Sequence, residues 1–261
     1  MKQRAMHVLA LANQKGGVGK TTTSVNLAGE LARRGEQVLL IDCDPQGNAT
    51  TSLGVSKRDL RATTYEVLMG DHGLDAAVRP TGRAGFDLVP ATEHLADAML
   101  ELVDAERREW RLADALTNVV GYSWVLIDCP PSLSLLTLNA LCAAQYVLIP
   151  LQCEYLALEG LAQLKGTIDR VHEHLNPALE IVGVVMTMYD GRTNLAQQVV
   201  EEVRRYFPKR IFDTLIPRSV RLSEAPSYGQ LIAEYDPQSR ATLAYSGLTD
   251  ELLERVERSA A

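Results

Sequence analysis

The stretch Asn13-Gln14-Lys15-Gly16-Gly17-Val18-Gly19-Lys20-Thr21-Thr22 decides how this 261-residue chain is read. Gly19, Lys20 and Thr21 fit the end of the phosphate-loop pattern G-x-x-x-x-G-K-[ST], while Gln14 stands where its first glycine belongs. Small residues let successive backbone N–H groups curve around phosphate oxygens, and the helix that follows offers them its positive end. In that scheme Lys20 reaches the β- and γ-phosphate oxygens and Thr21 offers its hydroxyl to Mg²⁺. Lys15 has no role in it. At the loop entrance this second lysine can point away from its own nucleotide and towards a partner's.

The flanks supply the context that the loop needs. Residues 7–12 form a short apolar run of strand type, and residues 22–31 carry Val25, Leu27, Ala28 and Leu31 at helical spacing. Further strands are predicted over 37–42, 86–90, 124–128, 146–150 and 181–186. These are continuous Val/Ile/Leu runs, the pattern of strands buried on both faces. Helical patterns lie between them, notably over 93–116, 157–175 and 195–206. The alternation predicts an α/β fold, a mostly parallel twisted sheet with helices on both faces and right-handed crossovers. Ligands in such sheets bind at the carboxyl ends of the strands.

No linker, repeat or low-complexity run divides the chain, so residues 1–261 are read as one domain. The apolar share of 46% is that of a soluble globule, and no apolar run approaches the ~18 residues that span a bilayer. Lys2 and Arg4 imitate a secretory leader only faintly, because the chain runs straight on into the phosphate loop. Cys43, Cys129, Cys142 and Cys153 are scattered without a C-x-x-C pair, which suggests neither zinc site nor disulfide framework and fits a reducing cytoplasm.

Three aspartates close apolar runs. Asp128 ends 124–128 in the arrangement that holds a Mg²⁺-bound water beside a phosphate loop, and an unpaired carboxylate there is costly unless a cation or donor meets it. Asp42 and Asp44 are two apart, so in extended backbone they share a face while Cys43 takes the other. Asp42 and Asp44 can then both look at the γ-phosphate; the competing reading for Asp44 and Asp128 is helix capping or a bond to backbone N–H groups.

The strings KGGVGKTT (15–22), IDCDPQGN (41–48), LIDCPPS (126–132) and IPRSVRLSEAPSYG (216–229) together resemble the ParA/Soj family of chromosome- and plasmid-partitioning ATPases, over nearly the whole chain. The deviant phosphate loop is shared with the cell-division protein MinD. The resemblance implies ATP and Mg²⁺ as cofactors, bound by Lys15, Gly16, Gly17, Val18, Gly19, Lys20, Thr21 and Thr22. It also implies that Lys15 reaches across a nucleotide-sandwich homodimer, that Asp44 orients the attacking water, and that Thr21, Asp42 and Asp128 serve the metal. Pro217 is expected against the adenine. Catalysis then rests on Lys15, Lys20 and Asp44, is slow in the lone subunit, and is stimulated by a ParB-type partner.

A net charge of −7 argues against a protein that is basic all over. Between residues 203 and 221, however, Arg204, Arg205, Lys209, Arg210, Arg218 and Arg221 face the single acidic Asp213, and Arg192 opens the preceding helix. Such a patch binds phosphates of double-stranded DNA without reading bases, with an affinity that falls with salt. In the family this binding belongs to the ATP dimer, which places the protein on the nucleoid in the cytoplasm. Too few residues precede the first strand for the operator-binding segment of longer relatives.

Two other readings compete. A MinD-like membrane-associated ATPase is disfavoured by the expected C-terminal helix over 246–258: Leu248, Leu252, Leu253 and Val256 share a face, while Asp250, Glu251, Glu254 and Glu257 would repel anionic lipid. A metabolic enzyme or cluster carrier related to the nitrogenase iron protein or dethiobiotin synthetase requires paired interface cysteines or a small-substrate pocket, and only Cys129 lies near the right place.

Overall fold

The computed structural model describes residues 6–58, 60–154 and 157–259; Lys2 and Arg4 lie outside them. The strands are β1 (His7–Leu11), β2 (Val38–Asp42), β3 (Arg79–Arg83), β4 (Phe86–Val89), β5 (Trp124–Asp128), β6 (Tyr146–Gln152) and β7 (Glu180–Thr187). They form one sheet in the order β3-β4-β2-β5-β1-β6-β7, parallel throughout except for β3, which runs antiparallel to β4 at the edge. The α/β architecture expected from the run pattern is therefore present.

Alternate residues of each central strand feed two cores. Val8, Ala10, Leu39, Ile41, Val125 and Ile127 point into one. Leu9, Leu11, Val38, Leu40, Trp124 and Leu126 point into the other. With both faces covered, every position along the strand must be apolar, which is why these runs do not alternate. The second core is roofed by the helix Lys20–Arg33 and the last helix, Arg240–Ser259, which buries Tyr245, Leu248, Leu252 and Val256. That last helix begins six residues before its predicted start, because Ser239 caps it: the Thr242 N–H donates to the Ser239 hydroxyl at 3.1 Å.

Two expectations need correction. The helix predicted over 93–116 is broken into a 3₁₀ turn at Glu93–Ala96 and short helices at Ala98–Glu101 and Arg111–Leu116. Between the last two lies a charge-rich stretch, in which Arg107 takes a left-handed φ of 53°. Asn139 fixes the break, accepting from Leu112 N–H and donating to the Arg108 carbonyl. β3 has no counterpart among the predicted strands. It carries Pro80 and Gly82, which blunt a strand signal and which an edge position tolerates.

Candidate nucleotide site at the carboxyl ends of the central strands

β1 ends at Leu11 between β5 and β6, and the phosphate loop rises from that point. Its conformation is imposed from outside. Asn13 spans the crossing, donating from its side chain to the Pro150 carbonyl at 2.8 Å and accepting from Lys15 N–H at 3.0 Å. Thr187 at the end of β7 donates its hydroxyl to the Val18 carbonyl at 2.8 Å. Gly19, the N-cap of the helix Lys20–Arg33, has φ 85° and ψ 23°, a left-handed geometry that a side chain would strain. The first helical residue is Lys20, only 6% exposed, whose Nζ donates to the Lys15 carbonyl across the loop at 3.1 Å. Burial pushes the Lys20 amine below its usual range, against the attraction of Asp128 and Asp44.

The parallel register sets Asp42 opposite Asp128, and both are fully buried. The Asp128 carboxylate accepts from the Thr21 and Ser24 hydroxyls, each at 2.7 Å. The Asp42 carboxylate accepts from Thr50 N–H and its hydroxyl, at 2.8 and 2.7 Å, and from Asp44 N–H at 3.2 Å. Both carboxyls are pushed above the usual carboxylate range, first by burial; Asp42 adds its repulsion to Asp128, and Asp44 adds a smaller one to Asp42. Asp44 is 6% exposed and accepts from Gln46 N–H at 2.9 Å, so it shapes the following turn as well as facing the loop. Cys43 and Cys129 project to the opposite core as buried free thiols. Among the described residues no group of three or more His, Cys, Asp or Glu side chains is arranged as a metal cage. The oxygen donors of Thr21, Asp42 and Asp128 suit a hard cation that keeps part of its water shell and takes other ligands from phosphates.

Beside Gly19 and Thr22 lies a cavity of about 440 Å³ walled by Met188, Ile216, Pro217, Val220, Leu222 and Tyr245. Pro217 is held there because the segment 211–218 continues along the sheet edge, with Ile216 N–H donating to Met186 and Tyr189 N–H to Ile216. Met188 has a left-handed φ of 52° at the mouth of this cavity, a strained backbone of the kind that collects at binding sites.

The seven basic residues predicted for nucleic acid fall into separate places. Arg192 and Arg218 line one cleft with Tyr189, Ser219 and Arg240, next to the Pro217 cavity. Nothing in the residue order singles out Arg240 for this cleft. Arg192 is ion-paired with Asp190 at 2.7 Å, and Arg221 with Glu224 at 3.1 Å. Arg210 lies at the opposite end of β7, about 20 Å away by strand rise, where its guanidinium donates to the Ile181 carbonyl at 2.7 Å. Arg204, paired with Asp213 at 3.4 Å, and the exposed Arg205 and Lys209 surround the helix terminus at that far end.

Comparison with known proteins agrees with this geometry. The family model described as an AAA domain matches residues 6–181. The chromosome partitioning protein ParA of Myxococcus xanthus is 51% identical over 249 residues, covering 95% of this chain and 88% of its own. The chain belongs to the ParA/Soj family. The chromosome-partitioning ATPase Soj of Thermus thermophilus is likewise 51% identical, covering 96% of this chain and 97% of its own. Among solved structures, a Mycobacterium smegmatis protein named cobyrinic acid a,c-diamide synthase, with bound ADP and magnesium, superposes with a TM-score of 0.86 at 38% identity, covering 97% of this chain and 96% of its own. The two partitioning proteins share more sequence with this ParA/Soj member than the synthase does. No helix among its described residues is long and apolar enough to cross a membrane.

Proposed function

We propose that the chain is one ATPase domain that segregates DNA: ATP and Mg²⁺ drive a nucleotide-sandwich homodimer, the dimer holds double-stranded DNA without sequence preference, and hydrolysis stimulated by a ParB-type partner releases it. The observation that carries this reading is the pairing of a deviant, two-lysine loop with Asp42, Asp44 and Asp128 at the ends of adjacent strands.

ATP would supply the phosphoryl group, and Mg²⁺ when bound would neutralise phosphate charge. The backbone N–H groups of residues 16–21 cradle the phosphates, and Lys20 exchanges the Lys15 carbonyl for phosphate oxygens. Thr21, whose hydroxyl here donates to Asp128, would offer that hydroxyl to the cation, and Asp42 and Asp128 would help to hold it. Asp44 orients the water that attacks in line. Lys15 of the partner subunit neutralises charge that develops on the transferred group, as an arginine finger does. The Pro217 cavity takes the base. The cleft of Arg192, Arg218 and Arg240 shares Pro217, Arg218 and Ser219 with that cavity, so occupancy by nucleotide and by DNA phosphate are sensed by one wall. The last helix has spent its apolar face on the core, which speaks for DNA rather than a bilayer as the surface engaged, and a nucleoid location goes with that reading.

The deciding experiment measures binding to a random-sequence duplex with ADP, with ATP, and with ATP plus Asp44→Ala, at low and moderate salt. ATP-dependent binding, strengthened in the variant and weakened by salt, is expected. Absence of binding in every state would remove the segregation reading.

A further inference from the structure

In this structure Lys15 is engaged within its own chain. Its Nζ forms an ion pair with Glu154, the two side chains being 45% and 44% exposed. The backbone on each side of the pair is held separately. Next to Lys15, Gln14 donates from its side chain to the Gly160 carbonyl at 3.2 Å and to Gln163 at 2.9 Å, and Asn13 ties the loop to Pro150. Next to Glu154, Cys153 N–H donates to the Thr187 carbonyl at 3.2 Å, and Glu154 N–H to that of Gln152 at 2.8 Å. Parting the two charges thus needs only side-chain rotation, with every one of these hydrogen bonds kept.

We propose that Glu154 is the counter-ion that keeps Lys15 on its own chain in the lone subunit, and that it must surrender the lysine before the lysine can serve a partner's phosphates. This rests on the reading of Lys15 as acting across the dimer. A half-exposed ion pair is weak and screened by salt. A triphosphate carries several negative charges into an interface that excludes water, and there it outcompetes one hydrated carboxylate. Glu154 therefore sets a threshold for dimerisation without forbidding it, and it is a positioning residue, not a catalytic one. Each dimer releases two lysines, so the effect of one pair enters twice. Abolishing the charge by Glu154→Gln should tighten the ATP dimer about 2- to 30-fold at low salt, and the gap should close as salt rises.

Three measurements separate the outcomes. In nucleotide-free protein, acetic anhydride labelling of the Lys15 amine, read by mass spectrometry, should run several-fold faster in Glu154→Gln than in wild type, with Glu154→Asp in between. Sedimentation with a non-hydrolysable ATP analogue and Mg²⁺ gives the dimer dissociation constant of each at low and moderate salt. Equal labelling, or a Glu154→Gln dimer as weak as or weaker than wild type, would overturn the proposal. Lys15→Ala tests the underlying reading by itself. If its concentration-dependent hydrolysis matches wild type, Lys15 does not act across the dimer, and the proposal falls with that reading. If Lys15→Ala loses that activity while Glu154→Gln behaves as wild type, only the role of Glu154 falls.

Discussion

Asp42 and Asp128 stand side by side in register at the ends of β2 and β5, both without solvent exposure and each satisfied by hydroxyl donors from a different helix, Thr50 for one and Thr21 with Ser24 for the other. Two buried carboxylates so placed disfavour the doubly ionised state, and a divalent cation reverses that preference.

The first prediction follows from the sign of this effect. Both carboxyls are raised in the fold, so their stabilising contribution is present in acid, below the unfolded carboxylate range near pH 4, and is lost as the pH rises towards neutrality. Cation binding displaces those protons and should gain up to about tenfold in affinity per pH unit for each proton released. Melting temperature of the nucleotide-loaded protein, with and without Mg²⁺, should rise more on metal addition at about pH 8 than at about pH 5.5. The nucleotide's terminal phosphate titrates in the same range, so the comparison with Asp42→Asn carries the result: the variant should show a shallower pH dependence.

The second concerns DNA. Arg192, Arg218 and Arg240 share a cleft, while Arg210 is bound to a carbonyl at the far end of β7. Each Arg→Ala change in the cleft should lower the slope of log affinity against log salt by about 0.9 for every DNA phosphate left without its arginine. Arg210→Ala should leave the slope unchanged. Salt titrations of duplex binding by anisotropy distinguish the two ends, and an unchanged slope in all three cleft variants would move the interface elsewhere.

A third prediction tests the edge of the sheet. A Cβ on Gly183 would sit 2.4 Å from Phe212 Cε2, 2.6 Å from the Arg210 carbonyl oxygen and 2.6 Å from Arg255 Nη1. Arg255 itself lies over the Phe212 ring at 3.9 Å and donates to the Val182, Arg210 and Ile211 carbonyls. The Arg210 oxygen belongs to the backbone and cannot rotate away, so Gly183→Ala should cost about 1–3 kcal/mol in denaturant unfolding. A neutral result would mean that the segment following Phe207 docks more loosely than the hydrogen bonds indicate.

Much of this was readable from residue order, for reasons that differ by element. Strands covered on both faces announce themselves as unbroken apolar runs, and Asp42 and Asp128 are conspicuous because a carboxylate ends each run. The phosphate loop is legible because its geometry restricts residue type at several adjacent positions. β3 escaped because an edge strand needs no apolar face, and the break after Glu101 escaped because it is dictated by Asn139, distant in sequence. Glu154 and Arg240 carry no local signal: an acid after a strand and an arginine at a helix start are ordinary surface residues until folding sets one beside Lys15 and the other beside Arg218. Thr63 and Glu66 form a capping box at the start of the helix Thr64–Met69, a local signal that the reading of the sequence passed over.

The cavity beside Pro217 has Gly19 and Thr22 on one wall and Tyr245 on another, and the Thr23 and Tyr245 hydroxyls meet at 3.3 Å across 222 positions of sequence. A ribosome releases the chain from its amino end, so the phosphate loop emerges early and waits for the wall that would receive the base. While Tyr245 is still inside the exit tunnel the nascent chain lacks part of that wall. The order of synthesis thus separates the two walls in time, and the cavity cannot be closed before Tyr245 has left the tunnel.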